Sequence, residues 1–141
     1  MKVSGSVSFR SPPEAVYGKF FEGVFAHAIE EAGLSIDRPA TVLTSYETKV
    51  GPMTVVTTEE ATLDPGRSIT WRHRDGPLSP SSWETFSLEP DGAGTTVLYE
   101  ADIEPRNRLL KGPLNRFWVA PQTRKISLRA LRQARRELEG S

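Results

Sequence analysis

The chain contains no cysteine and only two histidines in 141 residues. Disulfides and thiol chemistry are therefore excluded, and a structural zinc site, which draws on Cys and His, has almost nothing to be built from. No apolar run is long enough to span a bilayer, and the opening MKVSGSVSFR has no apolar signal-peptide core, so a cytoplasmic location is expected. There is no nucleophile-elbow motif and no glycine-rich phosphate loop. The run Asp91-Gly92-Ala93-Gly94 sits where a hairpin turn is expected, a place that calls for glycine. These absences leave acid–base work on a bound molecule as the chemistry open to the chain. They imply no metal and no cofactor.

Hydrophobic residues make up 37% and charged residues 26%, the composition of a folded domain, and the length suits one domain spanning residues 1–141. The zero net charge hides an asymmetry. Residues 1–105 hold 8 basic and 16 acidic side chains; residues 106–141 hold 10 basic and 2 acidic. A solvated outer helix face explains the basic end, and docking to an anionic partner is the sharper alternative.

That basic end carries the one long helical pattern. A step of three or four residues from Leu110 lands on Leu114, Phe117, Pro121, Arg124, Leu128 and Leu131, with Leu138 two turns on. These fall within a sector of about 120°, a core-facing stripe. A straight helix from Asn107 to Glu139 would measure roughly 50 Å, longer than a domain of this size. A kink or break is expected near Pro121, and another irregularity at Gly112-Pro113.

Everything between is strand and turn chemistry, apart from two short helices. Strand one is Lys2–Arg10. Ser11-Pro12-Pro13-Glu14 then reads as a capped start for a first helix reaching about Phe21. Gly23 separates it from a second helix, Val24–Ala32, closed by Gly33; His27 falls off that helix's apolar face and is expected to be exposed. Five further strands follow, at about Thr41–Val50, Met53–Leu63, Arg67–Arg74, Ser81–Glu89 and Thr95–Glu104, each ended by Pro/Gly turns. This is an antiparallel sheet with hairpin connections.

Alternation along these strands sorts the inward faces. Phe86 and Leu88 bring Ser82 and Glu84 with them. Ile69 and Trp71 bring His73. Val97 brings Tyr99, Val42 brings Tyr46, and Ala61 and Leu63 bring Glu59. Arg124 interrupts the helical stripe and either meets an inward Glu84 or Glu59 or extends outward along its stem. The polar set Tyr46, Glu59, His73, Glu84, Tyr99 and Arg124 thus sits among Trp71, Phe86, Phe117 and Trp118.

The element order, with the phrases VSFRSPPEAVYGKFF, SSWETFSLEPDGAGTTVLYEADI and LNRFWVAPQTRKISLRALRQARRELE, resembles the START-like or helix-grip superfamily. That group includes polyketide cyclases/dehydrases, Bet v 1-like proteins and lipid-transfer domains. The resemblance implies an α+β fold in which a curved antiparallel sheet of about six strands wraps a long, kinked C-terminal helix. It also implies a cavity between sheet and helix that holds a hydrophobic small molecule. In a cyclase/dehydrase-like enzyme, Glu84 or His73 would act as acid or base, with Arg124 or a tyrosine polarising a carbonyl. Tyr46, Glu59, Trp71, Phe86, Tyr99, Phe117 and Trp118 would contact the ligand. A non-catalytic carrier or sensor is the alternative, and a module that docks through the basic helix is a third. No nucleic-acid partner is expected, and the pattern sets no oligomeric state.

Overall fold

A computed structural model describes residues 1–30 and 33–140. The chain runs β1 (Lys2–Phe9), α1 (Pro13–His27), β2 (Ala40–Val50), β3 (Met53–Asp64), β4 (Ser68–Asp75), β5 (Trp83–Asp91) and β6 (Gly94–Asp102). A 3-10 turn (Arg108–Leu110), a π-helical turn (Asn115–Val119) and α2 (Ala120–Glu139) follow. The six strands form one antiparallel sheet in the order β1-β6-β5-β4-β3-β2. The first strand thus pairs with the last, and β1 and β2 are the edges. All strand spans fall within two residues of those expected from the sequence.

The stretch between β1 and β2 differs from expectation. One helix, α1, replaces the two short ones and runs straight through Gly23. Mid-helix glycine costs only about 1 kcal/mol, and the stripe of Val16, Phe20 and Val24 crosses it at four-residue spacing. Val16 and Val24 are fully buried, and Phe20 packs edge-on against Phe9 at 6.4 Å. The helix ends at Ala28, which is extended and pairs with Thr44 of β2. The expected second helix therefore stops short; its last residue, Ala32, lies outside the described residues. Ser11 does not cap α1. Its hydroxyl and backbone N–H both donate to the Glu139 carboxylate at 2.7 Å, tying the end of α2 to the corner after β1.

The helix irregularity lies just before Pro121, as a π turn. The Ala120 N–H bonds to the Asn115 carbonyl five residues back, so this turn holds one residue more than an α turn. The wider turn makes room for Pro121, which sits in the first turn of α2, where its missing N–H costs least. Asn115 pins the segment by donating from Nδ2 to the Ile103 carbonyl at 2.8 Å.

Helix α2 leans on the edge strand β1. Gly5 permits this: a Cβ there would sit 2.8 Å from Leu128 Cδ1. Leu128 and Leu131 are buried, and Tyr99, Leu63, Ile69 and Val97 form the sheet side of the core. Gly5→Val should therefore destabilise the fold by about 1–3 kcal/mol in chemical denaturation. Adding Leu128→Ala should recover part of that loss, because the two side chains compete for one space; strict additivity of the two changes would contradict this seating.

Candidate functional site

Because α2 rests on β1, the middle of the sheet is left partly uncovered, and a cavity of about 710 Å³ lies between them. Its floor is the inner face of the sheet. One cross-strand row runs Ala61, Trp71, Glu84, Ala101; the next runs Leu63, Ile69, Phe86, Tyr99, Gly5. Trp71, Ile69, Glu84 and Phe86 face the cavity from these rows, with Glu59 and Tyr46 beyond them. Phe20, Gly23 and His27 of α1 form one wall; Ile126, Ser127, Ala130, Leu131 and Ala134 of α2 form the other. Lys19 Nζ and Glu137 Oε2, 3.0 Å apart, join the two helices at the rim.

Two carboxylate–phenol pairs stand at the sheet side of the cavity. Glu84 accepts from Tyr99 Oη at 3.0 Å and from Ser127 Oγ at 3.2 Å. Burial is the main influence on its carboxyl and pushes it up to about 7; the nearby Glu59 adds to this, while the Tyr99 and Ser127 hydrogen bonds oppose it. Glu59 accepts from Tyr46 Oη at 2.8 Å, and burial raises its carboxyl as well. Both phenols are pushed above the usual tyrosine range, by burial first and then by the neighbouring carboxylates, so both stay protonated and donate.

The residues singled out from the sequence separate into three groups. Tyr46, Glu59, Trp71, Glu84 and Phe86 line the cavity. Tyr99 stands behind them, fully buried, with its ring 5.3 Å from Phe86 and its hydroxyl holding Glu84. His73, Arg124, Phe117 and Trp118 lie elsewhere.

His73 is buried under the Asp75–Pro77 turn. A Cβ on Gly76, which has φ +130°, would come within 3.2 Å of the imidazole and of Thr57 Oγ1. Its Nε2 has no hydrogen-bond partner among the described residues, and burial, aided by Arg106, holds the ring below the usual histidine range. The pairing of β3 with β4 slips beside it: Glu59 pairs with His73 but Thr58 with Asp75. The slip lies beyond the Glu59–His73 pair, so His73 keeps the register of Trp71 and is separated from the cavity by the turn that covers it.

Arg124 lies on the helical stripe but extends past the sheet edge, where Nε donates to the Ser4 carbonyl of β1. Phe117 and Trp118 are 75% and 56% exposed. The extra residue of the π turn rotates everything upstream by about 100° relative to α2. A stripe read through at constant spacing therefore lands on the outside.

Ser127, His27 and Phe20 were not singled out as site residues. Ser127 carried a usable signal: a small polar residue between Arg124 and Leu131 on the buried side of a helix marks a place where something else fills the space. His27 is exposed, as expected, yet sits at the cavity rim with its ring 6.0 Å from Tyr46. Among the described residues, no group of three or more His, Asp or Glu side chains could hold a metal ion.

The fold has counterparts among solved structures. TTHA0849 from Thermus thermophilus matches with a TM-score of 0.74 over 98% of this chain and 96% of that one, at 19% identity. The Zhui aromatase/cyclase from Streptomyces sp. R1128 matches at 0.72 over 99% and 93%, with 16% identity. Ara h 8.0201 matches at 0.69 over 100% and 99%, with 9% identity. The chain has the helix-grip fold. No protein-family profile and no curated protein matches it. Identities this low carry the helix-grip architecture and leave the chemistry to the side chains.

The buried carboxylate has a thermodynamic signature. Glu84 binds its proton more tightly folded than unfolded, so its contribution is present below about pH 4.5 and is lost as pH rises to about 7. Water in the open cavity screens the charge, so the loss is at most roughly 3 kcal/mol. Glu84→Gln cannot ionise. Its stability relative to wild type should therefore improve between pH 5 and pH 8, measured by urea unfolding at both. An unchanging difference would contradict the burial of this charge.

Proposed function

We propose that the protein binds an apolar small molecule in this cavity and acts on it by acid–base chemistry of the polyketide cyclase/dehydrase type. The single observation that carries the reading is a cavity of about 710 Å³, lined by Trp71, Phe86 and Phe20, with one carboxyl pushed up to about 7 at its floor. That value leaves Glu84 able both to take and to return a proton near neutrality, as a general acid–base group requires. The likeness to the Zhui aromatase/cyclase is consistent with this chemistry and does not establish it.

In this reading Glu84 takes a proton from a carbon flanked by carbonyls. The resulting enolate carbon attacks a second carbonyl of the same bound chain, forming a C–C bond and an alkoxide that takes up a proton. That proton comes from Glu84, which then takes the remaining proton of the same carbon as the C–O bond breaks and a C=C bond forms, and passes it to the departing hydroxyl, which leaves as water. Tyr99 and Ser127 hold the carboxylate in place throughout. When Glu59 is protonated it can donate to Tyr46, which frees the phenol to donate to a ligand carbonyl. His73 and Arg124, off the cavity, take no part.

The lining also bears on ligand charge. Five carboxylates (Glu22, Glu47, Glu59, Glu84 and Glu137) stand against Lys19 and His27, and among the described residues no arginine lines the cavity. An anionic end group would be repelled there, so the ligand end that meets the floor is neutral or cationic. The second reading is a non-catalytic carrier, which the apolar residues Ile126, Ala130, Leu131 and Ala134 on the α2 wall favour.

A neutral apolar fluorophore such as N-phenyl-1-naphthylamine should bind, and Ala130→Trp, which fills the space, should abolish its signal. Glu84→Gln should leave that binding within a few-fold of wild type. It should lower the rate of cyclisation of a β-polyketone model substrate by about 10²–10⁴-fold. Binding with no turnover in wild type would select the carrier, and absence of fluorophore binding would remove both readings.

A further inference from the structure

The exposure of Phe117 and Trp118 leaves an apolar face that the cavity does not use. Leu114, Phe117 and Trp118 stand at i, i+3 and i+4, the spacing of one helical face, and are 47%, 75% and 56% exposed. Leu109, 79% exposed, lies on the turn just before them. None of the four lines the cavity. The segment is held firmly from behind, because Asn115 and Ala120 of the same stretch are buried and Asn115 is bonded to Ile103. These side chains are therefore presented outward on a fixed platform.

Along this stretch of chain the charge is of one sign. From residue 106 through residue 136 the chain has ten basic side chains and no acidic one. Arg116 lies over the Phe117 ring at 5.5 Å, and Lys111 is close by in sequence, in a half-exposed pair with Glu104 at 3.7 Å. A second copy of the chain is a poor occupant. Self-pairing of this face would set cations against cations with no carboxylate from 106 to 136 to offset them.

We propose that this face docks the protein on an anionic lipid surface. Leu109, Leu114, Phe117 and Trp118 would enter the headgroup boundary, and Lys111 and Arg116 would meet the lipid phosphates. Aromatic and leucine side chains among arginines and lysines are what an interfacial segment requires: apolar area to bury and positive charge to hold it at a negative surface. No helix among the described residues is long and apolar enough to cross a membrane, so the contact is one of lying on the surface. The inference does not depend on what the cavity binds.

The test is co-sedimentation of the full chain with phosphatidylcholine vesicles, with and without about one third phosphatidylglycerol, at low and high salt. Binding should be at least tenfold stronger to the anionic vesicles and should weaken tenfold or more at high salt. Phe117→Ser with Trp118→Ser should weaken it by tenfold or more, and so should Lys111→Glu with Arg116→Glu. All four positions are at the surface, so circular dichroism should match wild type. Vesicles with brominated acyl chains should quench tryptophan emission in wild type and lose that quenching in Trp118→Phe. Failure to bind anionic vesicles at low salt would overturn the proposal. So would binding that the Phe117/Trp118 change leaves intact, or a dimer in sedimentation velocity that this change dissolves.

Discussion

Helix α2 is seated on the edge strand, not on the middle of the sheet, and the rest of the structure depends on that seat. Gly5 has no side chain, so Leu128 can approach the β1 backbone directly. Arg124 extends over the same strand to the Ser4 carbonyl, and Glu139 closes the far end on Ser11. These contacts fix the helix at one side. The sheet from β3 to β5 is then left facing small α2 residues, Ser127, Ala130 and Ala134, across open space. A helix with leucine at those positions would fill the space with its own core; this one leaves it vacant.

The vacancy sets the chemistry of what lies on the sheet. Glu84 occupies a floor position in a row with Ala61, Trp71 and Ala101, where it is largely buried and no cation among the described residues pairs with it. An ionised carboxylate there is costly, and the protein retains it by supplying two hydroxyl donors, Tyr99 and Ser127, without supplying an opposite charge. The carboxyl is thereby left balanced near neutrality. An arginine placed against it would have held it ionised and chemically idle. Arg124 lies on the correct stripe to do so, yet its guanidinium is committed to β1.

Most of the architecture was legible in the sequence because it rests on short-range signals. Strand alternation placed Glu84, Phe86 and Trp71 on the inner face, and Pro/Gly turns placed the hairpins. Three failures share a different origin. A glycine reads locally as a break, but the stripe of Val16, Phe20 and Val24 carries α1 through Gly23. One extra residue in a π turn rotates Phe117 and Trp118 to the outside, and constant periodicity cannot register an insertion that adds no residue type of its own. Alternation set His73 on the same face as Trp71, but the turn through Gly76 covers it and takes it out of the cavity. In each case a tertiary contact overrode a correct local rule.

The central claim is that the cavity floor holds a carboxyl that exchanges its proton near neutral pH. The direct measurement is a pH titration of the Glu84 side-chain carboxyl carbon by NMR in labelled protein, with the resonance assigned by its loss in Glu84→Gln. A midpoint of about 7 is the result this structure predicts. A midpoint near the ordinary glutamate value of about 4.3 would mean that the carboxyl is solvated, and the acid–base role would fall with it.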